Sequence, residues 1–216
     1  MKKNVYSLVL MESLIAEIDK LAYSMSTSRS NLINQILAEK VQLMTPQMYM
    51  RSIFEEIETL LSKNQSFKIL QQGSDSLLSI RSILHYKYNP TIKYSITLFQ
   101  LEGERFGELK IASRTQSEVL QNYLQHFFSI WNTIENQHKL QGFIMDEGIK
   151  WKRDLIYSNN QKCSSSELAQ AITEYIECVD HALAIYFSHI NHDRDIMIEK
   201  LDTLFYRYIH EVTIII

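Results

Sequence analysis

Ser28, Arg29 and Ser30 lie between two amphipathic stretches and set two hydroxyls and a guanidinium where hydroxyl residues cap a helix start. Upstream, Lys2 and Lys3 precede a run from Val5 to Leu10 whose β-branched, aromatic and aliphatic residues suit a strand. A period of two puts Val5, Ser7 and Val9 on one face and Tyr6, Leu8 and Leu10 on the other. The chemistry these residues offer is hydrogen bonding and positive charge rather than bond making.

Other candidate groups are weaker. Cys178 and His181 stand at i and i+3, as do His189 and His192, but two such pairs fall short of a metal site, and a packed cysteine with surface histidines is expected. Cys163 and Cys178 match no metal or redox spacing and point to a reducing compartment. Gly103 and Gly107 bracket Glu104-Arg105-Phe106 without the Gly-Lys-Ser/Thr junction of a phosphate-binding loop. Tyr86-Lys87-Tyr88 and Lys93-Tyr94 offer rings and cations on a sheet face, although tyrosines in strands more often fill the pleat. Phe127, Phe128 and Trp131 suit a core or a second dimer interface better than a ligand pocket. No constellation supports catalysis, a cofactor or a metal, so no enzyme is expected.

The elements that must position the N-terminal residues follow from periodicity. Leu14, Ile15, Ile18, Leu21, Ala22 and Met25 recur at helical steps; after Ser26-Thr27-Ser28, which supplies caps, Leu32, Ile33, Ile36, Leu37 and Val41 resume the period. A lone strand is not stable, so Val5 to Leu10 is expected to pair with a second copy.

Strand, helix and helix in this order over residues 1–44 resemble the ribbon-helix-helix DNA-binding family of MetJ, Arc and CopG type, across about a fifth of the chain. The resemblance implies an obligate homodimer whose paired strands enter the major groove of double-stranded DNA. It places Val5, Ser7 and Val9 outward to read bases, Ser28, Arg29 and Ser30 on a phosphate, and Lys2 and Lys3 on flanking phosphates. Ser26 occupies a turn where the family commonly has Gly. The implied function is a bacterial transcriptional regulator, a repressor that occludes a short inverted repeat. Antitoxins and plasmid partition or transfer accessory proteins use the same fold, and a dimeric interaction scaffold without DNA is the reading from another class.

Of 216 residues, 45% are hydrophobic and 22% charged, which leaves residues 45–216 enough core for a second domain. There the expectation is α+β. A helix runs over 46–63 from Thr45-Pro46, and an antiparallel sheet of about three strands lies within 76–112, with Phe67 to Leu70 as a further candidate. Helices follow at about 114–140, 165–190 and 192–212, with 141–163 mixed. The apolar Thr213-Ile214-Ile215-Ile216 is expected to be covered by a partner subunit. No run approaches the ~20 apolar residues of a bilayer span and none reads as a signal peptide, so a cytoplasmic protein is expected. Residues 1–45 carry one net positive charge and the remainder four net negative charges, so a strongly basic footprint is absent and DNA binding with a shallow salt dependence is expected.

Overall fold

The computed structural model describes residues 5–25, 27–74, 76–87, 89–99, 104–138, 140, 142–146, 150–156, 163–190 and 194–216. Contacts divide the chain into two compact units, Met1–Met48 and Tyr49–Ile216.

In the first unit, α1 (Glu12–Ser24) and α2 (Arg29–Lys40) pack through a small cluster of Ile18, Ala22 and Leu32, with Met25 and Ile33 against it. The Ser28 hydroxyl caps α2 by accepting from the Asn31 N–H at 3.2 Å. At the other end Leu43 N–H donates to Ala38 and Gln42 N–H to Glu39, the bond pattern of a Schellman turn. That turn holds Gln42 at φ 57°, a left-handed conformation that glycine adopts at lower cost. Val5 to Met11 enter no strand, which corrects the expected ribbon-helix-helix: among the described residues this unit has helices and no sheet. The reason is the absence of a ladder partner within the chain, without which an extended segment cannot pair its backbone groups.

The second unit is α+β, with an antiparallel sheet of six strands rather than about three. In chain order the strands are β1 (Phe67–Ser74), β2 (Leu77–Ile83), β3 (Thr91–Leu98), β4 (Arg105–Ser113), β5 (Ile144–Asp146) and β6 (Lys150–Ile156). Their spatial order is β1-β2-β3-β4-β6-β5, so β6 pairs with β4 and β5 closes the edge. Gly107 sits in β4 where its register shifts; a Cβ there would meet the Thr97 carbonyl at 2.6 Å.

Helices α3 (Pro46–Leu61), α4 (Glu118–Gln137), α5 (Ser165–His189) and α6 (Arg194–Glu211) complete the architecture. One sheet face, including Ile80, Tyr94, Ile111 and Trp151 across four strands, is buried with them in a single core. Phe128 of α4 stacks on Trp151 with ring centroids 4.3 Å apart, and a capping box of Ser164 and Glu167 starts α5. Ile216 is buried within its own chain, which corrects the expectation that a partner subunit covers the apolar end. Among the described residues no helix is long and apolar enough to cross a membrane.

The inner row of β6 contains a charge. Arg153 is buried, donating to Glu135 of α4 at 2.5 Å and to the Ile216 carbonyl at 2.6 Å, while its guanidinium lies 4.3 Å from the centre of the Tyr175 ring of α5. The Tyr175 hydroxyl donates to the same Glu135 oxygen at 2.5 Å. Removing one partner would strand the other's charge in the core. Glu135→Leu and Arg153→Met should each destabilise the unit by about 3–5 kcal/mol, and the double variant by far less than their sum. Urea unfolding of the four proteins measures that coupling, and additive losses would show that the pair is not a unit.

Candidate functional site

The sequence-predicted DNA-contacting residues divide into three groups. Lys2 and Lys3 lie outside the described residues, as does Ser26 at the predicted turn. Val5, Ser7 and Val9 are exposed on an irregular segment, and Tyr6 and Leu8 of the opposite face are exposed too. No strand therefore separates a reading face from a packing face. Ser28, Arg29 and Ser30 are together and exposed at the start of α2.

Arg29 is engaged. Its guanidinium makes two hydrogen bonds to the Asp19 carboxylate of α1, the Nε to Oδ1 bond at 2.5 Å and a second from Nη2 to Oδ2. The bonds from Arg29 hold the Asp19 carboxyl below its ordinary range, and the same pairing raises Arg29. This exposed pair ties α1 to α2 and competes with any phosphate for the guanidinium. Ser30 accepts an Asn34 side-chain hydrogen bond at its carbonyl.

In the second unit the candidates resolve into packing. Cys178 is buried, its thiol pushed up to about 12 by burial and by Glu135, while His181 three residues on is exposed. His189 contacts the Ile185 carbonyl and Lys200, and His192 lies outside the described residues. Among the described residues no three His, Cys, Asp or Glu side chains converge on a metal position. Tyr86 packs on Phe187 with centroids 4.9 Å apart, and Tyr88 and Gly103 lie outside the described residues. Phe127, Phe128 and Trp131 are core.

The periodicity of β3 did not reveal a polar cluster beneath it. Tyr94 turns inward and donates to Asp180 of α5 at 2.7 Å, and Ser82 of β2 donates to the same oxygen at 2.5 Å. Burial pushes the Asp180 carboxyl up, opposed by the two hydroxyl donors and by His181 and His85. An aspartate between two hydroxyls positions strand against helix. The signal that could have found it is a tyrosine on the apolar side of an alternating strand, since a buried phenol needs an acceptor.

No family model, curated protein or solved structure matches the chain.

Because the folded protein holds the Asp180 proton more tightly than the unfolded chain, stability attributable to this group falls as pH rises from its unfolded value through its raised folded value. Asp180→Asn keeps an acceptor oxygen for both hydroxyls and abolishes that decline. Urea midpoints at intervals between pH 4 and 7 should shift steadily in favour of the variant as pH rises, and parallel profiles would exclude a titrating Asp180.

Proposed function

We propose that the protein is a homodimeric, sequence-specific DNA-binding regulator in which the N-terminal unit meets DNA and the C-terminal unit contributes assembly or signal input. The observation that carries this reading is how little the N-terminal unit covers of its own apolar surface. Its core cluster is Ile18, Ala22 and Leu32, whereas Leu14, Leu21, Ile36, Leu37, Val41 and Leu43 of the two helices and the following turn are exposed. A unit of that size cannot bury enough surface alone, and a second copy supplies a self-complementary cover. Dimerisation would double the exposed Ser28-Arg29-Ser30 helix start and set two copies at a fixed spacing, which suits a two-fold symmetric operator. The reading requires no strand at Val5 to Leu10; it uses that segment as an exposed arm with Ser7 as its polar contact.

A second reading, a dimeric scaffold that does not bind DNA, is favoured by the Arg29–Asp19 pair and by the near-neutral charge of residues 1–45.

The pair separates the two. If Arg29 contacts phosphate, Asp19→Asn frees it and tightens binding up to about fivefold, a modest change because the pair it breaks is exposed and screened. Arg29→Ala weakens all sequences about equally, whereas Ser7→Ala changes which sequences are preferred. Selection of genomic fragments by the intact protein, followed by mobility shift with the three variants, provides the measurement. An absence of enriched fragments and of any response to the variants would leave the scaffold reading.

A further inference from the structure

We propose that the outer face of the six-stranded sheet binds the phosphate backbone of double-stranded nucleic acid without regard to sequence. This surface belongs to the second unit, goes beyond the N-terminal reading and does not depend on it.

The registers place the charges. Lys68 of β1 lies opposite Arg81 of β2, Arg81 opposite Lys93 of β3, Lys93 opposite Ala112 of β4, and Ala112 opposite Lys150 of β6. The residues on either side of Lys93, Ile92 and Tyr94, are buried, so this row points away from the core. Lys68 and Lys93 are exposed and Arg81 is half-buried. Three cations thus stand directly across three adjacent strands, spanning about 10 Å at the usual strand spacing.

This row differs from the remainder of the same face. There Lys110 pairs with Asp146 at 2.8 Å, Arg105 with Asp154 at 2.6 Å, and Lys152 lies 3.8 Å from Asp146. Among the described residues no carboxylate pairs with Lys68, Arg81 or Lys93. Like charges directly opposite on a sheet repel. Among the described residues that repulsion is uncompensated, and a polyanion laid across the strands relieves it.

The chemistry of the gaps selects the duplex backbone. Beside the cations the face presents the half-buried Ser95, Thr97 and Ala112, which are small and donate to phosphate oxygens or allow close approach, while Ser79 is buried. Binding single strands would call for open rings on which bases stack. Phe99, at the margin of this face, is instead covered by the Arg105 guanidinium at 4.6 Å. A duplex, with a charge every ~1.7 Å of its axis, meets flexible Lys and Arg side chains in any register.

The test is fluorescence anisotropy of the full-length protein with a labelled duplex of random sequence over a salt series. The comparison is between the natural protein and the triple variant Lys68→Gln, Arg81→Gln, Lys93→Gln. Loss of three phosphate contacts should lower the slope of log affinity against log salt by about 2.7 and weaken binding roughly tenfold or more. The thermal midpoint should stay level or rise as repulsion is removed, which certifies that the variant is folded. An unchanged slope in a folded variant overturns the proposal, as does tighter binding to polyglutamate of matched charge, which would assign the face to an acidic protein. Arg29→Ala, run alongside, distinguishes the two readings. A slope change in the triple variant without operator selectivity removes only the N-terminal reading, and selectivity with an unaltered triple variant removes only this one.

Discussion

Much of the C-terminal unit is arranged around one buried ion pair. Arg153 occupies the inner row of β6 between Trp151 and Leu155, a position that in an ordinary half-buried strand would be apolar. Taking its charge out of water costs several kcal/mol, and the offset comes from Glu135 on α4, the Tyr175 ring on α5 and the Ile216 carbonyl at the end of the chain. Three separate segments are therefore located by a single side chain on the sheet. The pair is not saturated: Glu135 Oε2 and Arg153 Nε make no hydrogen bond. Unsaturated burial argues that its role is to specify how α4, α5 and the terminal segment seat on β6, with little net stabilisation over an apolar replacement.

The N-terminal unit is under the opposite constraint. Its two helices are well bounded by the Ser28 cap and the Gln42 turn, yet helix ends cannot replace a core. The exposed Asp19–Arg29 pair, screened by solvent, adds little. A helical pair that is locally specified but leaves Leu21, Ile36 and Leu37 exposed gains most from a cover over that surface.

The elements legible in the sequence are those whose pattern is self-contained. The heptad-like stripe from Leu120 to Ile134, the Ser164–Glu167 capping box and the alternation of Ile92, Tyr94 and Ile96 each announce their element from within. What escaped needed a partner from elsewhere. Arg153 breaks the apolar alternation of β6, and only Glu135, 18 positions earlier, makes its burial intelligible. The β1 pattern is interrupted by a register shift between Leu70 and Ser74, which blurs a period of two. At the N-terminus the error ran the other way: a pattern suited to a strand met no ladder partner inside the chain. Ser28, Arg29 and Ser30 at the start of α2 were legible as a group because they are contiguous; the Asp19 bond that occupies Arg29 joins two helices and was not.

Charge shows the same limit most clearly. Counting by domain assigns residues beyond 45 a net negative charge, and from that count a basic footprint is absent. Lys68, Arg81 and Lys93 are about a dozen positions apart, each an isolated cation in sequence, and become neighbours only through the β1-β2-β3 registers. A polyanion responds to the potential within roughly a Debye length, ~10 Å at 0.1 M salt, and is nearly blind to carboxylates farther away. Over that distance the relevant quantity on this sheet is the local row, so a protein that is acidic overall can present a cationic face. Net charge constrains solubility and long-range steering; register decides what the surface can hold.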